Sequence, residues 1–386
     1  MKKIRIAILG STGSIGKTLL KIIEKDQKKF EIVLLSANKN YKELLKQTER
    51  FNVKNIIINN DKSYKKFKIY NKNKKIKIYN NFNLFDKIFK NKIDYVMSSI
   101  IGLDGLKPTI EIIKFTKSIA IANKEAIICG WNIINKKLKK YNTNFIPVDS
   151  EHFSIWYALR NKKNININKI YLTASGGPLL KVSKNKFKNL KVSQVLRHPN
   201  WKMGKKISVD SSTMMNKVFE IIEAKKIFNL SYKKLYILIH PNSYVHAIVK
   251  FDDGMIKVIA HDTTMKIPIF NTIYTKCLKK INSKNLDIKK LNNLQLKKID
   301  LKKFPTVNLL KKLPNTNSLF ETAIVSANDA LVNLFLRKKI KYSEISVKLL
   351  KFLRRKEFVK MKRKSPKNIS DILRLDNYVR LKINSE

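Results

Sequence analysis

Asp149 and Glu151 stand two residues apart in "PVDSEH", residues 147–152, with His152 next to them. The chain has 82 Lys and Arg against only 28 Asp and Glu, so two acids this close need a reason. Like charges at short range repel, and one of them is driven toward its neutral form unless a cation stands nearby. That cation is either a basic side chain or a metal. Read as alternate residues of an extended segment, the two carboxylates point the same way. Without cysteine beside them, they suit Mg2+ or Mn2+ and not a structural zinc. A third ligand is on offer in "TMMNKVFEIIEAKK" (213–226), where both Glu220 and Glu223 stand. Asn216 and Glu220 are four apart and share a helix face. That face brings together an anion site, Asn216 and Lys217, and a metal ligand, Glu220. A salt-bridged pair in a basic protein is the other reading of Asp149 and Glu151.

Other segments handle anions. "GSTGSIG" (10–16) holds three of the ten glycines in the chain and sits between a strand pattern and a helix pattern. Such a loop lets a pyrophosphate approach the free N–H groups of a helix N-terminus. An NAD enzyme usually places an acid at the end of the second strand for the ribose 2′-OH. Here that segment is "SANKN" (36–40), without an acid and with Lys39, which favours a 2′-phosphate and hence NADPH. "ANKEA" (122–126) puts Asn123, Lys124 and Glu125 at another strand end, where such folds bind ligands. "ASGGP" (174–178) offers Ser175 and backbone N–H groups. "VDSSTMMNK" (209–217) reads as Ser211, Ser212 and Thr213 at a helix N-terminus with Lys217 one turn in, a phosphate site or a plain N-cap. "RHPNWKMG" (197–204) has the makeup of a loop that closes over substrate, or of a surface loop anchored by Trp201.

The elements that must position these residues follow from periodicity. Strand-like runs fall at 4–9, 31–37, 55–59, 94–100, 118–123 and 144–150, with helical patterns at 15–25, 41–50, 106–115 and 125–140. Strands alternating with helices predict a mostly parallel sheet with right-handed crossovers. Residues 60–80 read as a loop or a short irregular element. From 151 the pattern becomes α+β: a helix (151–160), a strand (169–175), a long loop, a helix (213–228) and strand runs at 235–240, 243–251 and 255–260. "DDG" (252–254) signals a hairpin between the last two. This layer is expected to be antiparallel. Residues 279–303 read as polar linker, and helical spacing returns at 318–338 and 342–356. The expected fold class is α/β, with a Rossmann-type domain at 1–148, a catalytic and dimerisation domain at 149–276, a linker at 277–303 and a helical domain at 304–386.

Composition excludes several classes. Apolar residues make up 44% of the 386, enough for a substantial core. The two cysteines, Cys129 and Cys277, form neither a disulfide framework nor a zinc motif and fit a reducing compartment. No uninterrupted apolar run has the length of a membrane span. "MKKIRIAILGSTG" imitates a signal peptide but runs straight into the glycine loop, so it reads as a first strand, and a bacterial cytoplasm is expected. The net charge of +54 suggests a polyanion binder. The lysines are spread along the chain without a nucleic-acid motif, which points instead to compositional bias. A semialdehyde dehydrogenase would need a cysteine nucleophile with a base, and neither cysteine has one in view.

Together these segments resemble one family. "GSTGSIG", "ANKEA", "PVDSEH", "SGGP", "RHPNWKMGKKISVDSSTMMNKVFE" and "IHPNSYVHAIV" run in the order and spacing of 1-deoxy-D-xylulose 5-phosphate reductoisomerases, and the likeness extends to "SANDALV" in the helical end. Leu179, Asn38 and Asp329 depart from common family residues, and 275–315 matches poorly. The resemblance implies conversion of that phosphorylated ketose to 2-C-methyl-D-erythritol 4-phosphate, a step of non-mevalonate isoprenoid precursor synthesis. It implies a retro-aldol/aldol rearrangement followed by reduction by NADPH. It assigns Asp149, Glu151 and Glu220 to Mg2+ or Mn2+, and Ser175, Ser211, Asn216 and Lys217 to the substrate phosphate. Lys124 and Ser150 are implied to contact substrate oxygens, and His198, Trp201 and Met203 to belong to the closing loop. On the cofactor side it gives Thr12, Gly13, Ser14 and Ile15, then Asn38, Lys39 and Asn40, then Asn123, Glu125 and Gly204. It also implies a homodimer with strands 235–260 at the interface, and no specific nucleic-acid or membrane partner.

Overall fold

The computed structural model describes residues 2–160, 166–201, 203–275 and 279–386. Cys277 and the expected boundary at 276/277 lie outside the described residues. The chain forms two compact units. One comprises Met1–Ile127, Asn132–Asp149 and Met265–Asn282; the other comprises Ile128–Trp131, Ser150–Thr264 and Ser283–Glu386.

The first unit is built on a seven-stranded sheet. Its strands are β1 (Ile4–Leu9), β2 (Phe30–Ala37), β3 (Asn55–Ile58), β4 (Lys77–Tyr79), β5 (Ile93–Ser98), β6 (Thr116–Ile121) and β7 (Asn144–Pro147), in the order β4-β3-β2-β1-β5-β6-β7. Every pairing is parallel. The sheet grows first to one side of β1 and then, from β5, to the other, so the order reverses between β1 and β5. Ligands of doubly wound folds bind outside the strand ends at that reversal. The Rossmann-type expectation therefore holds. Residues 60–80 are more regular than expected, with a helix (Asp61–Tyr70) and β4. The Asn60 side chain caps that helix and Phe67 alone buries a large apolar side chain. A lysine-rich helix with one anchor leaves little periodicity to read. Helix Lys266–Ile273 packs on helix Ser14–Glu24, and Thr272 bonds the Tyr95 hydroxyl at 2.7 Å. The sequence reading had placed this segment with the following domain.

The second unit carries a five-stranded sheet: β8 (Ile167–Ala174), β9 (Leu235–Ile239), β10 (Val245–Phe251), β11 (Ile256–Ala260) and β12 (Lys297–Lys298), in the order β11-β10-β8-β9-β12. It is mixed, not antiparallel as expected. β8 and β9 run parallel, while β10, β11 and β12 pair antiparallel to their neighbours. The 60 residues between β8 and β9 include helices, and a connection that long can return a strand in the same direction. The hairpin at 252–254 is present. The linker reading of 279–303 gives way to a short helix (Ile288–Asn292) and β12 on the edge of β9.

One core fixes the site helices. Ile170, Leu172, Ala247, Val249 and Phe251 of the sheet face Ile155 and Ala158 of helix Ser150–Leu159 and Ile221 and Ala224 of helix Met215–Ile227, all buried. Glu151 and Glu220 thus ride on two helices that share a hydrophobic floor. Among the described residues one helix, Leu319–Leu336, has the length and composition of a membrane span. Its apolar window is 78% buried inside the protein, Asn328 in it bonds the buried Asp210 and Asp329 the partly buried Arg380, as in a core helix.

Candidate active site

In the first unit the glycine loop joins β1 to helix Ser14–Glu24. Gly10 has φ +83°, and a Cβ there would lie 2.9 Å from the Ser99 carbonyl oxygen just past β5. A Cβ on Gly16 would lie 2.5 Å from the Ser11 Cα. Only glycine lets the loop lie this close to the sheet and the helix to the loop. Gly13 occupies the N-cap without a side-chain bond, which leaves the first-turn N–H groups open to an anion. Thr12 and Ile15 are half-buried and Ser14 is exposed. Asn38, Lys39 and Asn40 are exposed at the end of β2, and the Asn40 side chain also caps the next helix by accepting the Glu43 N–H at 3.2 Å. Asn123 plays a structural part that its sequence context did not reveal. Its Oδ1 caps helix Lys124–Lys140 through Ala126 N–H at 2.7 Å, and its amide donates to the Gly102 carbonyl at 2.7 Å. Glu125 beside it is buried. The Lys124 ammonium bonds the Asp149 carboxylate.

Asp149 and Glu151 do not share an extended segment. β7 ends at Pro147 and a helix begins at Ser150, so Glu151 projects from a first helical turn. Within the second unit Glu151 and Glu220 each offer a carboxylate oxygen, within 4.8 Å of one another, and Asp149 ends a segment of the first unit one residue before the Glu151 helix. Glu223, the open alternative, is instead turned toward His152, 3.9 Å from its Nδ1. His152 is fully buried, and its Nε2 meets the Glu220 backbone carbonyl at 2.8 Å. That contact ties the "PVDSEH" helix to the Glu220 turn.

Lys217 stands among these acids. Its ammonium bonds Glu151 Oε1 at 3.0 Å and also Glu220 Oε2, while Asn216 donates to Glu220 Oε1 at 2.6 Å. Ser150 Oγ bonds the other oxygen of Glu151 at 2.5 Å. Burial alone would lower the pKa of Lys217, but Glu151 and Glu220 outweigh it and hold the ammonium above its ordinary value. The acid pair therefore has basic partners, the first of the two answers its spacing allowed. The donor set also fits a hard divalent cation. In the second unit it consists of the carboxylate oxygens of Glu151 and Glu220 alone, already arranged around positive charge from Lys217.

The expected helix at 213–228 is Met215–Ile227, and a second helix, Lys205–Ser212, stands just before it where a long loop was expected; the two join through Met214 at φ 64°. Ser211, Ser212 and Thr213 thus end one helix and do not begin the next. Ser212 and Thr213 spend their hydroxyls on the Val209 carbonyl. Thr213 Oγ also accepts the Met215 N–H at 3.4 Å, a weak trace of the capping that was expected. A left-handed methionine costs about 1–2 kcal/mol. The break holds because Tyr342 donates to the Ser212 carbonyl at 2.8 Å and Thr306 to that of Thr213. Gly177, at φ +69°, packs the "SGGP" turn directly on this join; a Cβ there would lie 2.6 Å from the Ser211 carbonyl oxygen.

Ser175 and His198 meet at 3.1 Å. His198 Nδ1 accepts the N–H groups of Asn200 at 3.2 Å and Trp201 at 3.0 Å, so its proton sits on Nε2 and is donated to Ser175 Oγ. Ser175 Oγ accepts from Gly177 N–H as well, at 3.1 Å, which leaves its own hydrogen for a ligand. Asn200, which the sequence did not single out, anchors the loop to Pro241 and Ser243 through its amide. Trp201 stacks edge-on against His246, and Met203 and Gly204 lead into helix Lys205–Ser212. Burial pulls the pKa of His198 from 6.5 down to about 4. In the unfolded chain it would protonate near its ordinary value, so between those limits the unfolded state binds more protons and stability falls as pH drops. Thermal denaturation followed from neutral pH to about pH 5 is expected to show a shallower decline for His198→Gln than for the natural chain. Equal slopes would contradict the assignment of a neutral, half-buried imidazole.

Models of 1-deoxy-D-xylulose 5-phosphate reductoisomerase match residues 6–130, and models of its C-terminal domains match 145–228 and 262–382. A 1-deoxy-D-xylulose 5-phosphate reductoisomerase of Pelagibacter ubique (strain HTCC1062) is 62% identical, over 100% of this chain and 99% of that protein. One from Clostridium novyi (strain NT) is 38% identical, over 97% of each. Among solved structures, the Zymomonas mobilis enzyme in complex with NADPH superposes with a TM-score of 0.87 at 28% identity, covering 100% of this chain and 99% of that one. A DOX-P reductoisomerase in complex with NADPH, fosmidomycin and magnesium gives a TM-score of 0.90 at 30% identity, covering 99% and 98%. By its sequence over the full length and by its fold, this chain belongs to the 1-deoxy-D-xylulose 5-phosphate reductoisomerase family.

Proposed function

We propose that this chain rearranges 1-deoxy-D-xylulose 5-phosphate and reduces it with NADPH to 2-C-methyl-D-erythritol 4-phosphate, using Mg2+ or Mn2+. The observation that carries this reading is the pair Glu151 and Glu220 sharing the Lys217 ammonium, in a chain of this family. When bound, the metal supplies Lewis-acid polarisation of the substrate's neighbouring oxygens, and NADPH supplies the hydride. Asp149, Glu151 and Glu220 hold the cation. Lys124, paired with Asp149, and Ser150 donate to substrate oxygens. Ser175, with its free hydrogen, and Ser211, Asn216 and Lys217 bind the phosphate. Holding the phosphate keeps both fragments in place between cleavage of the C3–C4 bond and their reunion. The loop of His198, Trp201 and Met203 shields the reacting groups from water.

For the cofactor, the support is the open N-terminus at Gly13 with Thr12, Ser14 and Ile15, and the acid-free strand end of Asn38, Lys39 and Asn40. Glu125 and Gly204 complete that assignment, with Asn123 shaping the strand end by its cap. The reading includes a homodimer. Its support is the edge strand β11, where Ile256 and Val258 are about half exposed, at 55% and 49%. It includes a cytoplasmic location and no specific nucleic-acid or membrane partner. A polyanion-binding role remains the competitor that a salt titration of nucleic-acid binding tests.

The test of the reaction is product identity. With 1-deoxy-D-xylulose 5-phosphate, NADPH and Mg2+, carbon and phosphorus NMR should show one branched polyol phosphate formed per NADPH oxidised. Reduction without rearrangement of the carbon skeleton, or no consumption, would overturn it.

A further inference from the structure

The side chains assigned to phosphate and the side chain assigned to metal are bonded to each other. Lys217 bonds Glu220 Oε2, and Asn216 bonds Glu220 Oε1 at 2.6 Å, so each oxygen of this one carboxylate takes a donor from the anion site. Lys217 reaches Glu151 as well, at 3.0 Å. Glu220 and Lys217 are buried, with side chains 1% and 5% exposed, so bulk water cannot stand in for a lost partner there. All four residues lie in the second unit, on two helices packed over one core.

From this arrangement we propose that Glu220 is an exchange point that couples cation binding to phosphate binding. A divalent cation taking the oxygens of Glu220 and Glu151 displaces the Lys217 ammonium and the Asn216 amide, and these freed donors then take the phosphate. The inference rests on the proposed assignment of both sites. Its physical basis is competition. An ammonium and a divalent cation cannot share the same buried carboxylate oxygens without strong repulsion. A buried donor that loses its carboxylate also needs a new acceptor. Phosphate arriving on Lys217 and Asn216 likewise relieves the cation of its competitor. The coupling must therefore be equal in both directions.

The test uses Mn2+ and inorganic phosphate on the intact protein, with free Mn2+ read by its EPR signal and Mn2+–phosphate association in buffer subtracted. In the natural chain, saturating phosphate should tighten Mn2+ binding about tenfold, and saturating Mn2+ should tighten phosphate by the same factor. In Lys217→Met, Mn2+ should bind tighter without phosphate, and the effect of phosphate on Mn2+ should shrink toward onefold. Asn216→Ser, which keeps every charge, should lower the coupling partway, and it serves if Lys217→Met does not fold. Independent binding of the two ligands to the natural chain would overturn the exchange while leaving both site assignments standing. Full coupling retained in both variants would also overturn it, placing its origin in direct contact between phosphate and metal. If Mn2+ does not bind the natural chain, the metal assignment itself fails, and the exchange with it.

Discussion

Glu220→Gln is expected to lower kcat by at least about 10³-fold while leaving NADPH affinity nearly unchanged. The substitution keeps the shape of the side chain and removes its charge. Its helix stays seated on the sheet, because Ile221, Ala224 and Val218 still fill the core. On the proposed ligand set the cation loses one of three carboxylates, and several kcal/mol of transition-state stabilisation go with it. The glycine loop belongs to the other compact unit and is built without Glu220. Steady-state kinetics at limiting Mg2+ and NADPH fluorescence titration check the two halves separately. Normal turnover at limiting metal would remove Glu220 from the ligand set. Loss of NADPH binding would mean that the substitution damaged the protein more broadly.

Lys217→Ala should raise KM for the phosphorylated substrate roughly 10- to 100-fold, the value of a charge-assisted hydrogen bond. It has a second signature that a surface phosphate ligand would lack. The buried Glu220 and the partly buried Glu151 lose the ammonium they share, and breaking such a pair from one side costs about 3 kcal/mol. The variant should therefore melt lower than the natural chain in chelator. Added Mg2+ should restore much of the difference, because a ligand that binds only the folded state stabilises it. Calorimetry with and without Mg2+ measures this directly. An unchanged KM would remove Lys217 from the phosphate site. A melting temperature that Mg2+ does not move would separate the lysine from the cation site.

Much of the candidate site was legible because its residues sit close together in sequence. The glycine loop, "PVDSEH" and the 197–220 block each carry their chemistry within a few positions, and local spacing is what a sequence displays. The alternation of strands and helices up to Pro147 was legible for the same reason, since apolar runs and crossover helices impose two distinct periods. Less visible were features set by distant partners. Nothing near Met214 marks a helix break, because neither glycine nor proline stands there. The break is imposed by Thr306 and Tyr342, which reach in from about 90 and 130 residues away. The direction of β9 depends on which strand it joins, and β12 is a pair of lysines recruited by an edge. The segment around Thr272 carries no local sign that it packs on Tyr95. In the site, His152 as the brace of the Glu220 turn, Asn200 as the loop anchor and the bond from Lys217 to its acids all needed three dimensions. Asn123 shows the converse. It stood in a functional motif, and its side chain is spent on a helix cap and a neighbouring loop.

The proposed reaction needs a divalent cation, NADPH and a phosphorylated ketose on the same chain. NADPH absorbance followed with purified protein and 1-deoxy-D-xylulose 5-phosphate, first with Mg2+ or Mn2+ and then with chelator, tests it in one trace. Oxidation should need the ketose and stop when the metal is removed. Oxidation that continues in chelator, or none at all from folded protein that binds NADPH, would contradict it.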